Sequence, residues 1–472
     1  MDNRKRISKH VDFLILDIIC LFISFFSAYY IRHNNILVFK IEIYTEMIFI
    51  IVLIELVLFI FYNPFSDVLK RGYLVELKTT FIFDSISMLL SITYLFVVKS
   101  SSDYSRAVLF LTYIIYFVIS YVIRCIWKKY IRKRRLNDNI NRKSLFIICK
   151  EKDVKTYLDN LSNDNLNYFI SGICIIDKDY TGNKINGIEV VANKNNLIEC
   201  ISTKWIDEIF ILTDYNNIST KIIESINLTG IPTRFKINDI PSINSKNQII
   251  ENFNSLKTII TVNRIYKDSD LLIKRIIDII GSIVGIIFTI IIGIVIAPII
   301  YIKSPGPIIY KSNRVGKNGK IFKFYKFRSM VLNADDTKND LKSKNRNSDG
   351  MMFKIENDPR IIPGIGNFIR KTSIDEFPQF FNVFKGDMSL VGTRPPTLDE
   401  WEKYTPYYRS RLSIKPGITG LWQVSGRSNI TDFNEVVRLD NEYINNWSIN
   451  LDIKILFKTV KNIFSAKSEG AM

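Results

Sequence analysis

Four long apolar stretches open the chain, at Val11–Ile31, Thr45–Tyr62, Thr79–Val98 and Ala107–Ile123. Each approaches the ~20 residues that a helix needs to cross the hydrocarbon core of a bilayer. The first is too long for the apolar region of a cleaved leader, and another follows it closely. The pattern therefore predicts a four-helix transmembrane bundle over residues 1–143. From Ser144 the apolar runs shorten and alternate with amphipathic segments. Ser144–Cys149, Phe169–Asp177, Ile206–Thr213 and Ile231–Ile237 read as strands, with helices at Asp153–Leu161 and Ser219–Gly230. Strands alternating with helices predict a mostly parallel sheet over 144–262. A fifth apolar stretch, Ile276–Ile302, begins the last region, 263–472, which is dense in Arg, Lys, Gly, Pro and aromatic residues.

Composition agrees with a part-membrane, part-soluble protein. Hydrophobic residues make up 47% of 472, and mean hydropathy is +0.10. That excludes disorder as the main state and leaves room for two or three domains. None of the five cysteines forms a Cys-x-x-Cys pair, so neither a zinc site nor a disulfide scaffold is expected. The two histidines are His10 and His33, so chemistry in the rest of the chain must run without histidine.

Charge orients the apolar stretches. Arg4, Lys5, Arg6 and Lys9 precede the first, and Arg124, Lys128, Lys129, Arg132, Lys133, Arg134 and Arg135 follow the fourth. The first and third connections carry only Arg32 and Lys40, then Lys99 and Arg106. Positive residues stay inside, so both ends of the bundle, and both soluble regions, are expected in the cytoplasm. The net charge of +18 suits anionic lipid or phosphorylated substrates as well. The Arg124–Arg135 run reads as a solvated or lipid-facing anchor, and no nucleic-acid partner is expected. Glu55 and Asp84 lie inside the spans with no partner evident in the sequence. Basic residues flank the fifth stretch on both sides, Lys274 and Arg275 before it and Lys303, Lys311 and Arg314 after it. A re-entrant helix that returns to the same face fits them better than a crossing, with Pro298 near Gly293 as the break point.

A working dinucleotide site needs glycines after the first strand, so that backbone amides can approach phosphate. Here Lys150, Glu151, Lys152 and Asp153 stand there. The 144–262 region therefore reads as a degenerate dinucleotide-fold module without a nucleotide role.

Chemistry concentrates after Ser304. Ile321–Met330 interleaves bases with aromatics; it is either an interfacial segment or a phosphate-facing set carrying Lys326 and Arg328. In Arg370–Gln379 the adjacent acids Asp375 and Glu376 suit a divalent cation shared with phosphate, or a carboxylate nucleophile on phosphorus. They equally suit the first turn of a helix capped by Ser373. Arg394 sits in a rigid turn between Gly392 and Pro395–Pro396, fit either to hold a phosphate or to face solvent. Gly417, Gly420 and Gly426 surround Trp422, Gln423 and Arg427 in a stretch that is either an ordinary glycine-rich surface loop or a tight loop able to bring backbone close to a ligand.

Taken in order, Lys274-Arg275…Asp278, Ser304–Pro307, Lys326–Met330, Ser373–Glu376, Gly392–Pro395 and Pro416–Gly420 closely resemble the bacterial sugar transferases, the polyprenyl-phosphate glycosyl-1-phosphate transferases. The resemblance spans about Asp270–Met472. The bundle and α/β module resemble those of the large members that start exopolysaccharide or capsule synthesis. It implies a monotopic catalytic domain on a re-entrant helix, with a hexose-1-phosphate passing from a UDP-sugar to undecaprenyl phosphate at the membrane lipid surface. It also implies Asp375 as nucleophile, Glu376 as its assistant, Mg²⁺ on the dyad, Arg370 and Arg394 near phosphate, and a homodimer. Glucose or galactose is the sugar suggested by the wording of the last motifs. Where the family breaks the membrane helix with Ser-Pro, this chain has Ile290-Ile291. The reading from another class is a membrane scaffold or sensor with an inert transferase domain.

Overall fold

The computed structural model describes residues 11–34, 42–62, 64–65, 68–69, 71–98, 104–137, 142–154, 168–213, 218–236, 247–253, 256–262, 264, 266–334, 337, 351, 355, 358–426, 430 and 432–464. The chain divides into two compact units, Met1–Asn141 and Arg142–Met472.

The first unit is a bundle of α1 (Val11–His33), α2 (Glu42–Tyr62), α3 (Tyr73–Val97) and α4 (Arg106–Asn137). Its outer faces are apolar and exposed, as at Ile15, Phe49, Phe81 and Ile114, which is how a helix presents itself to lipid. Among the described residues, Val11–His33, Tyr73–Val97, Arg106–Arg134 and Ser269–Lys303 are long and apolar enough to cross a membrane. The expectation for the basic run at the end of α4 needs correction. Arg124 and Lys128 are fully buried rather than exposed anchors. Arg124 Nε bonds both oxygens of Asp17 on α1, at 3.0 and 3.1 Å, and Nη1 donates to Thr80 Oγ1 at 2.9 Å. The positive charge ties three helices together because an unpaired charge there would have no water to fall back on.

The second unit begins with an eight-stranded sheet. Its strands are β1 (Lys143–Cys149), β2 (Tyr168–Ile175), β3 (Lys184–Ile185), β4 (Ile188–Asn193), β5 (Glu208–Ile211), β6 (Thr233–Lys236), β7 (Asn247–Phe253) and β8 (Leu256–Val262). The order is β3-β4-β2-β1-β5-β6-β8-β7. The central pairs are parallel, while β3, β7 and β8 add antiparallel edges, so the sheet is mixed. Helices α5 (Leu197–Thr203) and α6 (Thr220–Leu228) pack on it. Most of the expected helix at Asp153–Leu161 lies outside the described residues. After β1 the glycine-free turn is closed by acids. Asp177 Oδ1 accepts from Glu151 N at 3.0 Å, where a nucleotide fold would present that amide to phosphate.

A long helix, α7 (Asp268–Lys303), then carries the remaining fold. It is one 36-residue helix with Pro298 inside it, so the break expected at Pro298 does not interrupt the backbone. One side is exposed and apolar, as at Ile280, Ile287, Ile291 and Ile294. The other side lies along the catalytic core for its whole length. Near the start, Lys274 Nζ reaches Asp452 Oδ2 at 2.6 Å, and Asp278 Oδ1 accepts from Ser389 Oγ and Leu390 N, both at 2.9 Å. Arg275 donates to Val383 O and Phe384 O, two carbonyls at the end of a later helix. In the middle, a Cβ on Gly285 would stand 2.3 Å from the Phe380 ring, so glycine alone lets the ring close in. Towards the end, Ile296 and Ile300 pack with Phe327, Ile362 and Ile369.

The module and the catalytic core are joined through buried polar groups. Arg409 is fully buried and donates to Ser202 O at 3.0 Å and to Asn318 O at 3.1 Å. Asn318 Nδ2 donates in turn to Asp207 Oδ1 at 2.8 Å. With carbonyls as its acceptors, Arg409 is pushed down to about 9 by burial.

Candidate active site

The site is assembled from a hairpin, a tight turn and a glycine-packed strand pair. The hairpin is β9 (Ile309–Val315) and β10 (Ile321–Phe327), antiparallel, with Phe322 opposite Arg314 and Lys326 opposite Tyr310. The alternation of bases and aromatics in β10 is a strand pattern. Phe322 and Phe324 are buried on one face of β10, and Lys326, two residues further on, continues that face towards the neighbouring turn.

That turn carries the acid pair. Helix α8 (Ile365–Lys371) ends just before Ser373, which takes a left-handed φ of 55°. The chain then makes a 3₁₀ turn, Ile374–Glu376, before Pro378 starts α9 (Gln379–Lys385). The acids do fall in the first turn of this short helix after Ser373, but the serine side chain makes no cap. Instead Lys326 Nζ donates to Asp375 Oδ2 at 3.2 Å and Glu376 Oε1 at 3.1 Å. One ammonium thus bridges two carboxylates from adjacent residues. Asp375 is 8% exposed. Burial pushes its carboxyl above the ordinary 3.8; Lys326 pulls it back, Glu376 pushes it further, and Arg370 opposes. For Lys326, burial lowers and the two acids raise, and the acids win.

Sequence reasoning missed what holds this contact. Asn382 on α9 is fully buried; its Nδ2 donates to Lys323 O at 2.6 Å and its Oδ1 accepts from Tyr325 N at 3.2 Å. It fastens the acid-bearing segment to β10 beside Lys326. Arg314 was also missed, being read only as flanking charge. Its guanidinium lies 5.4 Å from the Phe324 ring, which Lys326 also approaches at 5.7 Å, and Nη1 donates to Pro395 O at 3.3 Å. It shares with Ser312 and Tyr310 the face of β9 that pairs with Phe322, Phe324 and Lys326, which shows only once the register is known.

Arg394 follows β11 (Ser389–Val391), which pairs in parallel with β12 (Gly417–Thr419). The glycines here serve backbone packing rather than close approach to a ligand. A Cβ on Gly417 would sit 2.1 Å from Gly392 N, and one on Gly420 2.3 Å from Gly392 O. Arg394 is half-buried, with Nη2 3.9 Å from Glu400 Oε1. Glu400 itself closes a capping box with Thr397 at the start of α10 (Leu398–Trp401). Burial would raise Glu400, but Arg394 and the Thr397 amide hold it below the usual range.

The remaining candidates divide. Arg370 ends α8 and acts electrostatically on Asp375. Arg328 is buried beside the end of α7 and donates to Ser304 O, while among the described residues its Nε and Nη1 have no hydrogen-bond partner. Gln423 lies in α12 (Leu421–Val424), after α11 (Pro406–Arg409), and turns its amide towards Ile418 O at 3.5 Å. Arg427 lies outside the described residues. The oxygens of the dyad that face each other are already bridged by Lys326. Among the described residues no group of three or more acid, histidine or cysteine side chains gathers to hold a metal ion, so the dyad by itself offers two carboxylates.

Comparison with known proteins follows the same division. A bacterial sugar transferase profile matches residues 269–466, and a CoA-binding domain profile matches 70–220. The galactosyl transferase CpsE of Streptococcus agalactiae is 39% identical, over 88% of this chain and 92% of that protein. The chain belongs to the bacterial sugar transferase family. Several other relatives align over only 37–44% of this chain. The undecaprenyl-phosphate galactose phosphotransferase of Salmonella typhimurium is 45% identical over 44% of each chain. The UDP-glucose:undecaprenyl-phosphate glucose-1-phosphate transferase of Escherichia coli is 41% identical over 37% of this chain and 36% of its own.

Proposed function

We propose that the protein transfers a hexose-1-phosphate, glucose or galactose, from a UDP-sugar to undecaprenyl phosphate, releasing UMP, as the first step of exopolysaccharide or capsule repeat-unit synthesis. The observation that carries this reading is the bridge from Lys326 to Asp375 and Glu376. It sets an ammonium on a sheltered carboxylate pair, with Arg370 acting on Asp375 and Arg314 on Lys326. Two of the relatives named above are named for undecaprenyl phosphate, one with galactose and one with glucose. An inert scaffold would have no use for this arrangement.

The chemistry needs no histidine, because both attacking groups are anions. An Asp375 carboxylate oxygen attacks the sugar-bearing phosphorus, and the bond to the UMP oxygen breaks. A phosphate oxygen of undecaprenyl phosphate then attacks the aspartyl phosphorus. This forms the lipid diphosphate sugar and restores Asp375. Lys326, Arg370 and Arg394 offset the negative charge that two phosphates bring together, and Arg328, Gln423 and Arg427 complete the proposed phosphate-binding set. Asp375 and Glu376 would hold Mg²⁺, which supplies further charge neutralisation at phosphate.

Contacts from one catalytic core to both Lys274 and Ile300 support both ends of α7 lying on one side of the membrane. We place that side in the cytoplasm. Efficient external labelling of a cysteine at position 348 in intact cells would overturn this. For the reaction, UDP-sugar alone should add one sugar phosphate to the wild-type protein by intact mass, and none to Asp375→Asn. A panel of UDP-sugars read by UMP release identifies the sugar. An unlabelled wild-type enzyme with intersecting double-reciprocal lines would show direct transfer instead.

A further inference from the structure

The tip of the β9–β10 hairpin is not at the surface. Hairpin tips usually face solvent, because a buried turn must find partners for its backbone groups. Here Asn318 and Gly319 are buried. Both take left-handed backbone, at φ 58° and 93°. A Cβ on Gly319 would stand 2.9 Å from the Trp401 ring, 3.0 Å from Lys204 O and 3.1 Å from Trp205 Cα. Trp401 belongs to the transferase core, while Lys204 and Trp205 lie in the α/β module, between α5 and β5. The tip is therefore held between the two.

On the module side, Ile206 N donates to Asn318 O at 3.1 Å, and Asn318 Nδ2 donates to Asp207 Oδ1 at 2.8 Å. Asp207 is itself fixed. Its Oδ2 accepts from Ser144 N on β1 at 2.9 Å and from Trp205 Nε1 at 3.0 Å. On the core side, Arg409 and Trp401 both donate to Ser202 O of α5, at 3.0 and 3.1 Å, and Arg409 also donates to Asn318 O at 3.1 Å. A left-handed conformation is uncommon for any residue but glycine. Asn318 keeps it because its side-chain amide and its backbone carbonyl are both taken.

The far end of the same hairpin carries Lys326. Turn geometry sets the register of a hairpin, and a slip of one residue turns every side chain to the opposite face. Gly316 N closes the tip on Lys320 O at 2.8 Å, and the pairs then run in unbroken register from Val315–Ile321 to Ile309–Phe327. Asn382 also holds β10, but through Lys323 O and Tyr325 N, backbone groups that nearly every residue offers. It anchors the strand without selecting which residue stands there; the turn makes that selection. We propose that the α/β module positions Lys326 for the transfer reaction through the Asn318–Asp207 contact, which makes Asn318 and Asp207 positioning residues. The proposal rests on the transferase reading above and extends it to a region outside the catalytic core.

The test is a double-mutant cycle on the full chain in lipid nanodiscs, read by UMP release from UDP-sugar and by denaturant unfolding. Asn318→Asp sets a carboxylate against Asp207 where a hydrogen bond stood. Turnover should fall about tenfold, the size of one charge-assisted hydrogen bond. In a Lys326→Met background the same change should cost less than about twofold, because the group it displaces is already gone. Adding Asp207→Asn to Asn318→Asp should bring turnover back to within about threefold of wild type. The new amide then donates to the new carboxylate, and its oxygen still accepts from Ser144 N and Trp205 Nε1. If Asn318→Asp does not fold, Asn318→Gly replaces it in the two backgrounds, since glycine keeps the turn and removes only the amide. An equal loss in both backgrounds would make the contact merely structural, and the proposal falls. It falls too if Asp207→Asn gives no rescue. A wild-type protein that releases no UMP from any UDP-sugar would sink the transferase reading alone. The unfolding cycle then decides this proposal: coupling between positions 318 and 326 supports it, and strictly additive losses overturn it.

Discussion

Replacing Lys326 with methionine removes the one ammonium that bridges Asp375 Oδ2 and Glu376 Oε1, at 3.2 and 3.1 Å. Methionine keeps most of the length of the side chain and its contact with Phe324. Hydrogen bonds to charged groups contribute about 1.5–3 kcal/mol each. Since one donor serves both acids, and Arg370 still acts on Asp375, we take a net loss of about 2–3 kcal/mol, or roughly 30- to 150-fold in rate. The sign of the pH dependence follows from the shifts. Asp375 already ionises above its ordinary value because of burial, and Lys326 is the largest influence pulling it back. Without Lys326 it moves higher still, so the attacking carboxylate is lost at a higher pH as the solution is acidified. The defect of the variant should therefore shrink as pH rises. Its stability should run the other way. Acids raised in the folded state contribute stability below their unfolded values, which is lost as pH rises through the folded ones. Single-turnover UMP release from UDP-sugar by the nanodisc protein, between about pH 6 and 9, measures the first, and denaturant unfolding at the same pH values measures the second. A defect of constant size across that range, or a turnover within twofold of wild type at its acid end, would refute the claim that Lys326 keeps the dyad ionised.

Three further outcomes are expected. Arg370→Lys and Arg394→Lys should each lower turnover roughly ten- to a hundredfold despite keeping the charge, because the planar fork is lost; near-normal rates in both would make these arginines structural. Gly417→Ala would place a Cβ 2.1 Å from Gly392 N, backbone against backbone, so β11 and β12 must part; it should destabilise the fold by about 3 kcal/mol in denaturant titration. Lys415 is pushed down to about 8 by burial and then by Arg275 and Lys317, so its charged form costs stability below that pH and the cost fades as pH rises towards 10.5. Lys415→Met should be more stable than wild type at pH 7 by on the order of 2 kcal/mol, with the difference closing in alkaline solution.

The apolar runs at Val11–Ile31 and Ile276–Ile302, the strand at Ser144–Cys149 and the missing glycine loop at Lys150–Asp153 were legible in the sequence, because each rests on neighbours in the chain. Burial of a helix or strand face is written in local periodicity, and six short motifs in order sufficed for the family. What the acids Asp375 and Glu376 do was not legible. An adjacent acid pair reads equally as a helix start, and the choice was made by Lys326, which lies on a different element and is brought over by the β9–β10 register and by Asn382. Gly417 and Gly420 invited a ligand; the tertiary structure gave that space to the Gly392 backbone. Arg124 looked like a surface anchor in a basic run, and Asp17, at the opposite end of the bundle sequence, took it inside. The sequence by itself determined where the elements lie and which residue types they carry. Which charges meet was decided only by packing, because electrostatic partners are set by distance in space and the chain records only order.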